Sequence, residues 1–375
     1  ARLDVLDGQL LELAAERAQV VQSIGRAKQG GDGALFDRDR ERRVLAQARD
    51  RSQALGLDPQ LGEALLRVLV EGSHARQSDT LQSDIQRHFC IVGGEGRMGR
   101  RLGQAFEGRG HTVTTLEVGD PLDVGDADVV MLAVPMAEQV RMAEALGPRL
   151  REGVLFCDIN SLKEDITHAM HRSYDGEVLG LHPMFGPTVG TLRRQKVVLC
   201  SARGGALSAW MERELKSMGL ETIVCSPSEH DRMMAVIQVL VHFSTIVMGE
   251  ALRRTGTSVA DSLRFTSPIY RLELAFVGRL FTQNPDLYAE ITMTNPYGAE
   301  VRQAFLDAAQ ALESSVHSGD RQRFTTQFQA VSEWFSEFGP EAMALVGIPD
   351  PETFVQLPWD KRVGRVFCTC FRNRE

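Results

Sequence analysis

Apolar residues in the first eighty positions recur at steps of three and four, the spacing of one face of an α-helix. Leu3, Leu6, Leu10 and Leu13 continue on the same line through Arg17 to Val20 and Ile24, and Leu11, Ala14, Ala18, Val21, Gly25 and Lys28 trace a second line beside it. A helix apolar on two sides is enclosed by partners, which so short a segment finds most easily by dimerising. The Gly-Gly-Asp-Gly run at 30–33 breaks this helix, a second is predicted over about 37–54, and a third runs from about 60 to 80. Residues 1–80 therefore read as an all-α domain and 81–87 as a polar linker.

From His88 the period changes. Short β-rich runs alternate with helical stretches: HFCIVGG, TVTTLE, DVVMLAVP, VLFCDIN, EVLGLHP, KVVLCS and ETIVCS. Such alternation predicts a mostly parallel sheet with helices on both faces over 88–225. From Ser226 the pattern turns helical again to about 345. Ser226, Pro227 and Glu229 supply an N-cap, a first-turn proline and a capping-box acid for the helix that follows. The tail, 346–375, has a pattern from which no role can be derived.

Composition narrows the class. A length of 375 residues with 43% hydrophobic and 25% charged positions is that of a multidomain globular protein. The net charge of -8 argues against nucleic acid or an anionic membrane as partner, so an acidic small molecule must be met by a few placed cations. The most apolar run, 233–249, falls short of about 20 residues and carries Gln238 and His242, which predicts a buried helix rather than a membrane span. Six scattered cysteines and no secretory leader pattern point to a reducing, cytoplasmic setting. Cys368 and Cys370 lack a second ligand pair at zinc spacing, so no metal is expected.

Candidate chemistry begins at the first β-run. It leads into Gly94-x-Gly96-x-x-Gly99 and then a helix, the arrangement in which backbone approaches a pyrophosphate at a helix N-terminus. Arg97 and Met98 complete this candidate cofactor loop of a Rossmann-type domain. Glu117, about 20 residues on, stands where a ribose 2'-hydroxyl is held, and no arginine follows immediately, which favours NAD over NADP. Glu95 is an oddity, since its charge would repel a pyrophosphate unless the side chain points outward.

Ligands of doubly wound sheets sit beyond the carboxyl ends of the strands. Ser161 and Lys163 in DINSLK, and His182 in GLHPMFGP, follow two late strands. His182, between glycines and prolines, reads as a general base on a stiff loop, with Ser161 sharing a substrate hydroxyl. Arg271 and Arg279, eight residues apart among apolar neighbours, read as cations that need a carboxylate. His230 and His242 read as structural.

The stretches VGGEGRMG, DINSLK, LGLHPMFGP, EHDRMMAVIQ and SPIYRLELAFVGRLF closely resemble prephenate dehydrogenase, and the first helices resemble the all-helical chorismate mutases. In this order they resemble the bacterial bifunctional chorismate mutase/prephenate dehydrogenases of tyrosine biosynthesis. The resemblance implies a helix-exchanged mutase domain at 1–80, a Rossmann-type NAD domain at 88–225 and an all-α dimerisation and substrate domain at 226–345. It implies NAD-dependent oxidative decarboxylation of prephenate to 4-hydroxyphenylpyruvate, with His182 accepting the hydroxyl proton, Ser161 supporting that hydroxyl and Arg279 binding a carboxylate. Lys163 and Arg271 lie in motifs near the pocket. A proton acceptor must be uncharged, so activity is expected to fall toward acid pH. Val241 stands where the family leads one to expect arginine.

For the first domain the resemblance implies rearrangement of chorismate to prephenate, which an enzyme assists by gripping a reactive conformer and stabilising charge on the breaking ether. Arg17 and Lys28, eleven residues apart, are about 20° from eclipsed on a helix. Asp37, Arg40 and Glu41 are spaced three and four, as are Ser73 and Gln77. By resemblance Arg17 and Arg40 hold carboxylates, Lys28 and Gln77 bond the ether oxygen, Asp37 or Glu41 takes the ring hydroxyl, and Ser73 belongs to the same stripe. The family carries one further arginine just before the point where residue 1 begins, and Arg2 is out of register with it, so weakened mutase activity is expected of the chain as given. The expected partners are chorismate, prephenate, a second copy in a homodimer, and L-tyrosine as feedback ligand. Two other readings stay open: a helical dimerisation module without catalysis ahead of a dehydrogenase, and a β-hydroxyacid dehydrogenase with a lysine base.

Overall fold

The computed structural model describes residues 2–28, 38–80 and 83–346. Three helices come first, α1 (Arg2–Lys28), α2 (Arg38–Ala54) and α3 (Pro59–Thr80). Then β1 (His88–Val92), α4 (Arg97–Gly108), β2 (Thr112–Leu116), β3 (Val129–Leu132), α5 (Met136–Leu146), β4 (Leu155–Asp158), α6 (Glu164–Ser173), β5 (Glu177–Pro183), β6 (Lys196–Arg203), α7 (Ala206–Ser217) and β7 (Glu221–Val224) alternate. The rest is helical: α8 (Pro227–Met234), α9 (Val241–Arg254), α10 (Val259–Leu263), α11 (Pro268–Phe281), α12 (Pro285–Thr294), α13 (Gly298–His317), α14 (Arg321–Trp334) and α15 (Gly339–Val346).

These elements form two compact units. The first holds the described residues up to Val134 together with Arg141–Ile159 and Ala169–Val224; the second joins Pro135–Val140 and Asn160–His168 to the described residues from Cys225 onward. In the first unit α1 and α2 each pack on α3. The first apolar line of α1 is not enclosed: Leu3, Leu6, Leu10, Leu13 and Val20 are all exposed, because one neighbouring helix covers only one side of a helix that is apolar on two.

The seven strands form one sheet in the order β2-β1-β3-β4-β5-β6-β7. Strands β1 to β5 run parallel, β6 pairs antiparallel to β5, and β7 runs parallel to β6. The near-continuous apolar runs of β1, β3 and β4 are explained by burial on both faces. Phe89 and Ile91 of β1, Met131 of β3 and Leu155 of β4 share a core with Phe106 of α4 and Trp210 and Met211 of α7. The Phe89 and Phe106 rings stack at 4.2 Å.

In the second unit the capping box expected at Ser226 is present, its Oγ accepting from the Glu229 N–H at 3.2 Å. Between α8 and α9 the chain winds as a π-helix over Ala235–Leu240. The expected burial of this apolar run is not met. Helix Pro227–Arg254 is long and apolar enough to cross a membrane by length and composition, and only 11% of its most apolar window is buried. Its apolar positions run around the helix, while α11, α12 and α13 flank only part of it.

The expected linker is not loose where it is described. Ser83 is buried, and its hydroxyl donates to Glu214 Oε2 of α7 at 2.9 Å. Glu214 Oε1 accepts from Arg109 Nε at 2.7 Å and from His111 Nε2 at 3.3 Å. His111 Nδ1 accepts the Arg87 N–H at 3.1 Å, which puts the ring proton on Nε2. Burial alone pushes the Glu214 carboxyl up, but the hydrogen bonds from His111, Arg109 and Ser83 and the Arg109 charge outweigh it and hold the group at about 2. A depressed carboxylate stabilises the fold above its unfolded value of about 4.3, and this contribution is lost as pH falls toward the folded value. Glu214→Ala is expected to cost about 3–5 kcal/mol at neutral pH by leaving Arg109 buried without its partner. Denaturant melts will show this, and the variant's stability should also fall less steeply than the parent's between pH 4.5 and 2.

Candidate active site

The glycine turn is built by close approach. Gly93, just past β1, has φ +80, and a Cβ there would lie 2.8 Å from the Ala133 carbonyl oxygen. A Cβ on Gly99 would lie 2.7 Å from the Gly93 oxygen, and one on Gly94 2.3 Å from Thr115 Cγ2. Gly96 is the N-cap of α4 and no side chain caps that helix, so its first N–H groups are left for a ligand. Arg97 is exposed and Met98 packs against the core. A pyrophosphate, which needs N–H donors and no Cβ in its way, fits this cradle.

Glu117 follows β2 and its Oε1 accepts the Glu95 N–H at 2.7 Å, while its own N–H donates to Asp120 at 2.8 Å. The acid is thereby tied to the loop it is meant to serve. The Glu95 carboxylate meets Arg100 Nη2 at 2.6 Å, and both side chains are exposed. This answers the oddity of an acid in a phosphate loop: its charge is balanced and faces solvent.

His182 lies within β5 rather than on a loop. It pairs with Val198 of β6, Leu181 pairs with Leu199 and Pro183 with Val197, and the Met184 N–H continues the ladder to the Lys196 oxygen at 2.8 Å. The stiffness ascribed to the prolines comes from the antiparallel strand, and His182 is 4% exposed at the carboxyl end of β5, the edge of the parallel set β1 to β5.

In the second unit, Ser161 is half-buried and Lys163 has no exposure. Their turn is held by Asp231 of α8, whose Oδ1 accepts the Lys163 N–H at 2.8 Å and whose Oδ2 accepts the Glu164 N–H at 2.9 Å. His230 Nδ1 donates to the same Oδ1 at 2.7 Å, and both residues are buried.

Arg271 and Arg279 share α11, and both are exposed. Apolar neighbours in sequence therefore do not force a counter-charge on them, because both side chains reach the surface. Arg279 still acts on His242, whose ring nitrogen is held well below its ordinary value, at about 4, by burial first and then by the Arg279 charge. His242 stands edge-on to Tyr288 at 4.7 Å, and its Nδ1 is buried with no hydrogen-bond partner among the described residues. Tyr288 also lines an apolar cleft of ≈ 520 Å³ with Phe243, Ile246 and Phe281.

Among the mutase candidates, Arg17 is half-buried and its Nη1 donates to the Leu69 oxygen of α3 at 2.9 Å, burial lowering its pKa. Arg40 is exposed on α2. Lys28 ends α1, Glu41 lies in α2, and Ser73 and Gln77 lie in α3, but the side chains of these four fall outside the described residues, as does Asp37 altogether. Cys368 and Cys370 fall outside them too. Sequence reasoning passed over Gly93 and Asp231. The first was legible as the doubled glycine of VGGEG; the second had no local signal, because its partners lie some 67 residues away.

Three family models match the chain: chorismate mutase type II over residues 1–78, the prephenate dehydrogenase nucleotide-binding domain over 108–209, and the prephenate dehydrogenase dimerization domain over 226–330. The T-protein of Enterobacter agglomerans is 35% identical over 344 residues, covering 90% of this chain and 92% of its own. That of Haemophilus influenzae is 32% identical over 349 residues, covering 91% and 92%. In fold, the chain is similar to A. aeolicus prephenate dehydrogenase, solved with hydroxyphenyl propionate and NAD+, at TM-score 0.56 and 17% identity over 68% of this chain and 100% of that one. Synechocystis arogenate dehydrogenase gives 0.52 and 18% over 67% and 99%. Helical mutase segment, nucleotide-binding sheet and helical dimerisation segment follow one another along the chain, and the chain belongs to the T-protein family of bifunctional chorismate mutase/prephenate dehydrogenases.

Proposed function

We propose that the two activities of this chain are carried by the residues singled out above. In the dehydrogenase half, His182 takes the proton of the prephenate ring hydroxyl as hydride leaves the same carbon, and Ser161 supports that hydroxyl. NAD, when bound, supplies the hydride acceptor; Gly94, Gly96, Arg97, Met98 and Gly99 receive its pyrophosphate and Glu117 its ribose. The ring carbon–carboxylate bond then breaks, its electron pair enters the ring, carbon dioxide leaves, and the former hydroxyl oxygen takes up a proton as the phenol of 4-hydroxyphenylpyruvate. Arg279 binds a substrate carboxylate, and Arg271 and Lys163 take part in binding the substrate. The carrying observation is the place of His182: buried, paired with Val198 of the antiparallel β6, at the carboxyl end of a strand where ligands of such sheets collect.

In the mutase half, Arg17 and Arg40 grip the carboxylates of chorismate, Lys28 and Gln77 bond the ether oxygen, Asp37 or Glu41 holds the ring hydroxyl, and Ser73 takes part in binding the substrate. The half-burial of Arg17 beside α3 supports this reading, because a cation so placed is poorly served by water and suited to an anion. A homodimer accounts for the uncovered apolar lines of α1 and of the helix at 227–254. L-tyrosine, the end product, is the proposed feedback ligand. The buried thiols of Cys90, Cys157 and Cys200, none in a disulfide, support a reducing cytoplasmic setting.

Three outcomes test these assignments. His182→Asn is expected to lower NADH formation from prephenate by about two to four orders of magnitude with NAD affinity little changed; near-normal turnover would remove His182 from its role. Chorismate should disappear from solution without NAD, followed by its absorbance, and Arg17→Ala should slow that loss by about 10²–10³-fold. No rearrangement at all would leave the helices a dimerisation module. Arogenate, tested beside prephenate under the same conditions, is expected to give the lower kcat/KM.

A further inference from the structure

The Asn160–His168 stretch carries Ser161 and Lys163, and two different contacts fix it within the second unit. Leu162 is buried in a small apolar cluster with Met136, Val239 and Ile291. On its polar side, the Lys163 and Glu164 N–H groups both donate to Asp231. Glu164 is the first residue of α6, so these are opening N–H groups that no carbonyl inside the helix can take. Asp231, about 67 positions away in sequence, therefore does for α6 what a local cap does elsewhere.

Asp231 is itself held. It is 1% exposed, its carboxylate accepts from His230 Nδ1, and its backbone oxygen accepts from Asn295 Nδ2 at 2.9 Å. Asn295 in turn accepts the Tyr297 N–H at 2.9 Å, tying the α12–α13 turn to the same point. A carboxylate with three donors, in a site closed to water, has one orientation. The backbone that emerges from it two residues from Ser161 inherits that orientation.

We propose that Asp231 is a positioning residue of the dehydrogenase reaction: by accepting the Lys163 and Glu164 N–H groups it sets the place of Ser161 and Lys163, so that the substrate hydroxyl meets a fixed donor. This rests on the assignment of Ser161 given above. An asparagine at 231 keeps the shape but has one oxygen for two N–H groups, and its amide would face the other donor; the turn must shift. Displacements of about 1 Å in a catalytic constellation cost about 100-fold in rate.

The experiment compares the full-length parent, Asp231→Asn, Ser161→Ala and the double variant. For Asp231→Asn the expected result is a kcat/KM for prephenate lower by about 100-fold, a dissociation constant for NAD within about twofold, and an unchanged rate of chorismate rearrangement in the same protein. In the double variant the second substitution should cost far less than it does alone, because both act through one hydroxyl. Asn295→Ala, which loosens Asp231 without touching its carboxylate, should fall in the same direction by about 10-fold and serves if Asp231→Asn does not accumulate. Turnover within twofold for Asp231→Asn while Ser161→Ala is impaired would overturn the proposal, as would fully multiplicative losses or a parallel fall in NAD affinity and rearrangement. A normal Ser161→Ala enzyme would overturn the assignment beneath it as well.

Discussion

The pairing of β5 with an antiparallel neighbour is the constraint on which the dehydrogenase half depends. In a sheet of parallel strands the carboxyl ends open into loops, and loops move. Here β6 returns along β5 and carries the ladder through Leu181, His182 and Pro183, so the histidine leaves the sheet only after its backbone has been hydrogen-bonded into place. The general-base role proposed for His182 needs a ring nitrogen held within hydrogen-bond reach of one proton, and a strand meets that demand with less ordering at the moment of reaction than a loop would.

Two buried carboxylates repeat the same device at other points in the chain. Glu214 gathers Arg109, His111 and Ser83 and so fixes the segment that follows the mutase helices to the first unit. Asp231 gathers Lys163, Glu164 and His230 and fixes the segment that carries Ser161 to the second. Each acid is surrounded by donors, which is the condition under which a buried charge rigidifies its surroundings rather than weakening them. Each joins residues 60 or more positions apart, so each replaces chain connectivity with chemistry.

Local patterns were legible in the amino-acid sequence and long-range ones were not. The strands lie where the β-rich runs are, and in β1, β3 and β4 the runs are unbroken and apolar because these strands are buried on two faces. The glycine turn was legible because a missing Cβ is written directly in the sequence, and the Ser226 cap because its partner is three residues away. What failed were inferences about surroundings. Arg271 and Arg279 have apolar neighbours in sequence yet face solvent, and the apolar run at 233–249 is largely uncovered, since neighbours along a helix say nothing of what packs against it. The recruitment of 135–140 and 160–168 into the helical unit, and the role of Asp231 there, depend on contacts across the chain that no periodicity records.

The place of His182 relative to a bound ring hydroxyl is the central claim, and a crystal structure of the full chain with NAD and a prephenate analogue measures it directly. The account requires a ring nitrogen of His182 within about 2.6–3.2 Å of that hydroxyl oxygen. A complex in which another side chain occupies that distance, with the imidazole turned away from the analogue, would contradict it.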